Sequence, residues 1–344
     1  MNIENIKVDK ENTLEKILNC NGLGVSGRQN EMIELALTHK FDAVEIDMTD
    51  LLGRHEALGK EFACQFLQSA KMKIGTFRLP VSLDADDATY NEQLSKIDTV
   101  LELAEELNGT CCYVRIAPTH AELSFQENFD RHSARLAELA PKFAAKSIKI
   151  GLALQAAADQ KKHDMKFVQT TEELLTLART VGQPNVGICL DTWNWVVGDG
   201  AKDQLSELKA DQITEVRLAD VPADEDITTI KQNQLALAGE VEGSIVPEVL
   251  KHLATISYEG PICVLTASSM LGGRSKNAVV GGIARQLNRL LIEAGLIEGE
   301  LEAEEEAAEG EGETAAEGAS DSTADGDSTK TEGEAEPEAA AAKF

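Results

Sequence analysis

Short apolar runs alternate along the chain with longer segments in which apolar residues recur at helical spacing. The runs with the length and composition of buried strands are residues 22–26, 43–47, 74–79, 112–116, 150–155, 186–190, 214–218 and 262–266. Amphipathic segments such as 129–146 lie between them, and another, 277–296, follows the last. Strands that alternate with helices form a parallel sheet, and eight units over about 280 residues are the size of a closed barrel. The pattern therefore predicts an α/β fold, a (β/α)8 TIM barrel.

The same pattern divides the chain into three segments. We predict an N-terminal helical extension over residues 1–19, the barrel over 20–296 and a disordered acidic tail over 297–344. The tail consists almost entirely of Glu, Ala, Gly, Ser and Thr and carries over half of the net charge of −28 of the 344-residue chain. Such a composition cannot bury enough apolar surface to offset the entropy that ordering costs.

Charge and hydropathy exclude several classes of function. An acidic chain is a poor candidate for sequence-independent binding to nucleic acid or to anionic membranes. No apolar run approaches the roughly 18 residues of a membrane span, and the first residues lack the layout of a signal peptide. The six cysteines are scattered without a metal-binding spacing, so we expect reduced thiols and a cytoplasmic protein. The composition indicates no partner for the tail.

Polar residues follow most of the predicted strands, and the carboxyl ends of barrel strands are where functional sites lie. The side chains at or just beyond these ends are Ser26, Glu45, Asp47, Arg78, Arg115, His120, Gln155, Asp191, Asn194, Arg217, Asp220 and Thr266. Arg78, Arg115 and Arg217 either converge on a bound carboxylate or phosphate or pair with the acids that alternate with them. Trp193 and Trp195 either stack on a sugar ring or cover the barrel end as core, and we expect the second.

Four motifs give the chain a resemblance to a known family. They are FDAVEID at 41–47, LDTWNW at 190–195, VRLADVPA at 216–223 and AGEVEGSIVPEVLKHLATISYEGPICV at 238–264. Their order and spacing resemble those of the xylose isomerase-like sugar phosphate isomerase/epimerase superfamily over roughly residues 20–295. The resemblance implies a TIM barrel and an isomerase or epimerase activity on a sugar or sugar phosphate.

The resemblance also implies a divalent metal bound by a Glu after strand five, an Asp after strand six, a His on strand seven and a Glu on strand eight. In this chain those positions fall on Gln155, Asp191, Arg217 and Leu265, and a further family His falls on Asn194. Leucine offers no donor atom, and arginine is a permanent cation that cannot bind a metal. We expect Asp191 to form an ion pair with Arg217 in place of the metal, or else to cap a backbone segment.

Two functions follow from these departures. The first is a divergent pseudoenzyme that needs no cofactor, lacks metal-dependent proton transfer and binds a small sugar or anion. Its candidate binding residues at the barrel mouth are Glu45, Arg78, Arg115, Gln155, Asp191, Asn194, Arg217 and Asp220. The alternative is an active isomerase or epimerase whose divalent metal is held by carboxylates outside the aligned positions, such as Glu45, Asp47, Asp220 or Glu240. The alternative requires three or more carboxylate or imidazole groups around Asp191.

Overall fold

Eight parallel strands close into a barrel in the computed structural model, which describes residues 14–267 and 272–299. The strands are β1 Glu15–Leu18, β2 Ala43–Ile46, β3 Lys73–Arg78, β4 Cys111–Ile116, β5 Lys149–Leu154, β6 Val186–Asp191, β7 Ile213–Leu218 and β8 Pro261–Val264. Each strand pairs with its neighbours in the sequence, and β8 pairs with β1. The predicted (β/α)8 barrel is confirmed.

The described residues contain eleven α-helices, most of them in the connections between strands. They are α1 Gln29–Thr38, α2 Met48–Leu58, α3 Lys60–Ala70, α4 Asp87–Ser95, α5 Ile97–Glu106, α6 Phe125–Ala144, α7 Thr171–Val181, α8 Thr192–Val197, α9 Lys202–Glu207, α10 Val246–Thr255 and α11 Lys276–Glu293. In α5 the buried residues Ile97, Val100, Leu101 and Ala104 follow helical spacing. None of these helices is long and apolar enough to cross a membrane.

The first strand differs from the prediction. β1 is Glu15–Leu18, whereas the start of the predicted strand 22–26 belongs to a 3-10 turn, Asn21–Leu23. This strand has only four residues and includes a glutamate and a lysine, so it lacks the apolar run of a buried strand. The barrel therefore begins before the predicted boundary at residue 19, and the polar side chain that follows strand one is Asn19. The predicted extension up to residue 13 and the predicted tail from residue 300 lie outside the described residues.

A long connection between β7 and α10 reaches over the carboxyl end of the barrel. It contains no helix, and Asp220 and Ala236 join its two arms by a pair of backbone hydrogen bonds. Trp193 is 0% and Trp195 3% exposed, which confirms the expectation that they are core. The indole Nε1 of Trp193 donates to the backbone oxygen of Gln234 in this connection. Trp193 therefore helps to fix the loop, and Trp195 is a buried core residue.

Candidate functional site

A cavity of about 900 Å³ lies at the carboxyl ends of the strands. Five of the eight candidate binding residues line it: Glu45, Arg78, Arg115, Gln155 and Arg217. The remaining lining includes Asn19, Tyr113, Gln160, Gln232, Asn233, Leu265 and Thr266. The cavity is thus polar and is built by residues that follow or end β1 to β5, β7 and β8.

Three charged side chains from β2 and β7 form the floor cluster, which we define as Glu45, Glu215 and Arg217. Arg217 donates through Nε to Glu215 Oε1 at 2.9 Å and through Nη2 to Glu215 Oε2 at 3.1 Å. Nη2 also donates to Glu45 Oε2 at 3.1 Å. The guanidinium lies 3.8 Å from the ring centre of Tyr113, whose hydroxyl donates to Glu45 Oε1 at 3.0 Å. Asn19 Nδ2 donates to Glu45 Oε2 at 2.6 Å.

The floor cluster is held together by opposite charges in a buried setting. Burial alone would lower the pKa of Arg217, but the carboxylates of Glu215 and Glu45 outweigh it and raise that pKa well above its ordinary value. Burial raises the pKa of Glu215, and Arg217 opposes part of this rise. Burial also raises the pKa of Tyr113, so its hydroxyl stays protonated and donates to Glu45. A permanent cation therefore lies between two carboxylates at this depth of the barrel.

The expected ion pair between Arg217 and Asp191 is wrong. Within the described residues the ion-pair partners of Arg217 are Glu45 and Glu215. Asp191 caps α8, because its Oδ1 accepts from the backbone nitrogen of Asn194 at 2.9 Å. Glu215 was not among the predicted site residues, because it lies within β7 and not at the end of the strand. Side chains two residues apart on a strand share a face, and this spacing from Arg217 was the available signal.

The other candidates that do not line the cavity have structural contacts. Asn194 Oδ1 accepts from the backbone nitrogen of Ala156 at 3.0 Å and so ties α8 to the residues after β5. Asp220 accepts from the backbone nitrogen of Gly239 and from the hydroxyl of Ser244, both at 2.7 Å. These contacts hold the connection between β7 and α10 in place. Asp191, Asn194 and Asp220 thus shape the loops around the cavity from outside it.

Arg78 and Arg115, which we call the rim arginines, are the least restrained charges of the cavity. Arg78 is the last residue of β3, and its backbone is paired with Tyr113 of the adjacent β4. Arg115 lies two residues further along β4, with its guanidinium carbon 6.0 Å from the ring centre of Tyr113. Both are exposed. In the described part of the chain neither Arg78 nor Arg115 forms an ion pair. Of the three arginines, Arg217 therefore pairs with acids of the chain, whereas the rim arginines do not.

The four positions that the resemblance implies as metal ligands do not form a coordination sphere. Leu265 has no donor atom, and Arg217 is a permanent cation that cannot bind a metal. The Gln155 amide donates to Gln160 Oε1 at 3.3 Å, and a neutral amide is a weak substitute for a carboxylate. Asp191 is engaged in the cap of α8. No group of three or more His, Cys, Asp or Glu side chains among the described residues is placed to hold a metal.

The non-aligned carboxylates are also engaged or lie outside the cavity. Glu45 accepts from Asn19, Tyr113 and Arg217. Asp47 caps α2 by accepting from the backbone nitrogen of Thr49. Asp220 holds its loop, and Glu240 is exposed outside the cavity lining. The residues present therefore do not fit the divalent metal that the resemblance implies.

Comparisons with known proteins bear on the same fold. Residues 33–280 match the family model of the xylose isomerase-like TIM barrel. A xylose isomerase domain protein from Alicyclobacillus acidocaldarius superposes with a TM-score of 0.73 at 17% identity, covering 82% of this chain and 99% of that chain. A probable 3-DHS dehydratase, AsbF, involved in petrobactin synthesis from Bacillus anthracis, superposes with a TM-score of 0.60 at 14% identity, covering 80% of this chain and 99% of that chain. D-Psicose 3-epimerase from Clostridium cellulolyticum H10, solved with D-tagatose, superposes with a TM-score of 0.60 at 13% identity, covering 81% of this chain and 99% of that chain. No curated protein matches the chain in sequence.

Proposed function

Because the chain belongs to the xylose isomerase-like TIM barrel family, we propose that it is a divergent member that binds a small sugar with an anionic group, such as a sugar phosphate, without a metal ion. Similar structures include proteins described as a dehydratase and an epimerase. This chain has a cavity at the carboxyl end of the barrel, but Gln155, Arg217 and Leu265 stand where the resemblance implies metal ligands. We therefore propose that the chain binds its ligand but does not carry out metal-dependent proton transfer.

The observation that carries this proposal is the pair of rim arginines. Guanidinium groups bind phosphate and carboxylate oxygens with two parallel hydrogen bonds. Arg78 and Arg115 line the cavity from adjacent strands, and neither is ion-paired in the residues described. Since the chain as a whole carries a net charge of −28, an anion needs local cations to bind here. Two such cations at the mouth of one cavity favour an anionic ligand.

The rest of the lining favours a ligand with several hydroxyl groups. Its neutral polar members are amide and hydroxyl side chains, namely Asn19, Gln155, Gln160, Gln232, Asn233 and Thr266. The floor cluster has two carboxylates for one guanidinium, so it disfavours an anion and accepts hydrogen bonds from hydroxyl groups. We therefore orient the ligand with its sugar hydroxyls toward the floor cluster and its anionic group toward the rim arginines.

The floor cluster is better suited to accepting a hydrogen bond than to moving a proton. A general base must take the proton itself, and Glu45 already accepts from three donors, including the permanent cation of Arg217. About one of its roughly four lone-pair sites is left for a ligand hydroxyl. Glu215 is 0% exposed, below Arg217, and the Gln155 amide does not titrate. These contacts support a binding function over an isomerase function for the cavity.

A thermal-shift panel tests the proposal with matched pairs of sugars and their phosphates. A ligand that binds only the native state raises stability by RT ln(1 + [L]/Kd), about 2.7 kcal/mol at a hundred times Kd. We expect at least one sugar phosphate to raise the melting temperature while its parent sugar raises it less. The control variant is Arg179→Ala, which removes an exposed arginine of α7 away from the cavity. The proposal fails if no anionic sugar shifts the melting temperature, or if shifts appear only with a divalent ion.

A further inference from the structure

A second polar cluster lies behind one wall of the cavity. Asp84, in the loop between β3 and α4, lines the cavity, and His132 of α6 is 0% exposed. The Nδ1 atom of His132 is 2.9 Å from the backbone oxygen of Asn128. A carbonyl oxygen only accepts, so Nδ1 carries the proton of the neutral ring. Nε2 is then an acceptor, and it faces Asp84 Oδ1 at 3.5 Å.

Two buried acceptors therefore face each other. Neither His132 Nε2 nor Asp84 Oδ1 has a hydrogen-bond partner in the described residues. Burial lowers the pKa of His132 to about 4 against the opposing attraction of Asp84, so the ring is neutral near pH 7. A buried polar atom without a partner is costly. One proton between these two atoms would convert the repulsion into a charge-assisted hydrogen bond.

The loop that carries Asp84 is fastened on both sides of this residue. Arg135 of α6 donates to the backbone oxygens of Leu83 at 2.8 Å and Ala85 at 2.6 Å. Its guanidinium also pairs with Asp87 at 2.7 Å. The backbone of the loop is thereby held against α6 independently of the His132 contact. The orientation and charge of the Asp84 side chain are what remain adjustable.

Few other charged groups face this pair. Arg131 Nη2, on the same helix as His132, is 3.9 Å from Asp84 Oδ1. Arg131 and Arg135 both oppose a positive charge on His132 and so lower its pKa. His120, from the connection after β4, also interacts with Asp84. The ring of Phe167 lies 4.7 Å from the ring of His132 and does not titrate. Asp84 is therefore the acid that can draw a proton onto His132.

We propose that His132 and Asp84 form a proton-operated latch, in which one proton taken up between Nε2 and Oδ1 fastens Asp84 to α6 and removes its negative charge from the cavity wall. His132 is a positioning residue, since it acts through Asp84. The consequence for binding rests on the proposed function: with the latch open, the Asp84 carboxylate repels an anion at the rim, and with the latch closed it does not. Anion binding should then strengthen as the pH falls.

The first test needs no ligand. Ring nitrogen chemical shifts of His132, assigned by triple-resonance NMR in the full chain, are followed from pH 8 to pH 3.5 in the wild type, Asp84→Asn and Asp87→Asn. At pH 8 we expect a proton on Nδ1 of His132 alone, and on acidification a second proton on Nε2. The pH midpoint of this protonation should be lower in D84N, because the attracting carboxylate is gone. D87N should keep the wild-type midpoint. A proton on Nε2 alone at pH 8, or a midpoint that D84N leaves unchanged, overturns the latch.

The second test measures sulfate affinity by calorimetry at pH 7.5 and pH 4.5, because sulfate stays a dianion over this range. Removing one nearby charge completely should tighten sulfate binding roughly threefold to tenfold. Because a group with a pKa of about 4 is only about a quarter protonated at pH 4.5, we expect wild type and D87N to bind sulfate about 1.5-fold to threefold more tightly at pH 4.5 than at pH 7.5. D84N should bind tightly at both pH values. Measurable binding with the same pH dependence in wild type and D84N overturns the latch. Absence of sulfate binding in every variant contradicts the proposed function instead, and the NMR titration then decides the latch alone.

Discussion

The floor cluster and the rim arginines use the same guanidinium group in opposite settings. Arg217 is 5% exposed and donates to Glu215 and Glu45. Arg78 and Arg115 are exposed and are not ion-paired within the described residues. A guanidinium whose partners belong to the chain stabilises the fold, whereas one that faces an open cavity is available to a ligand. Burial and the number of partners therefore separate the two roles where residue type does not.

Arg217→Ala should have the largest effect on the floor. Removing one partner of a buried ion pair leaves a buried charge, and we expect a loss of about 3–5 kcal/mol in the free energy of unfolding. Chemical denaturation measures it. The double variant Arg217→Met with Glu215→Met should recover most of the loss, because it leaves no unpaired charge at Glu215. Stability of R217A within about 1 kcal/mol of the wild type would remove the distinction between floor and rim.

Substitutions of the rim arginines should weaken ligand binding and leave the stability of the fold almost unchanged. Hydrogen bonds to charged groups contribute about 1.5–3 kcal/mol each, so Arg78→Ala and Arg115→Ala should each weaken binding of a sugar phosphate by about tenfold to a hundredfold. The free energy of unfolding should change by less than about 0.5 kcal/mol, as for surface substitutions. Calorimetry and denaturation on the same samples give both numbers, with R179A as the control. A rim variant that loses stability but keeps its affinity for the sugar phosphate would show that the rim arginine stabilises the fold and does not bind the ligand.

Tyr113→Phe should have a smaller effect on stability and binding. Tyr113 lies between Arg217 of the floor cluster and the rim arginine Arg115. The substitution removes the hydroxyl that donates to Glu45 at 3.0 Å, and Tyr90 offers a matched control because its hydroxyl donates to Glu138 at the same distance. We expect each variant to lose about 1 kcal/mol in the free energy of unfolding. Only Y113F should change the affinity for a neutral sugar, because only Glu45 lines the cavity. Equal affinities in Y113F and Y90F would show that Glu45 does not contact the ligand.

The sequence was most informative where local pattern decides structure. Strands β2 to β8 were predicted with shifts of one or two residues in their ends. β1 was misplaced since its four residues include Glu15 and Lys16. Five candidate residues line the cavity, because strand ends converge in a closed barrel. The partner of Arg217 was missed since pairing inside a barrel depends on which side chains share the interior, and Glu215 lies within β7 and not at its end.

Metal-free binding is measured by a calorimetric titration of a sugar phosphate into the full chain, in excess EDTA and again with added Mn²⁺. We expect the same dissociation constant in both, because Arg78 and Arg115 bind the anion and Arg217 already supplies the cation of the floor. Binding that disappears in EDTA and returns with Mn²⁺ would contradict metal-free binding.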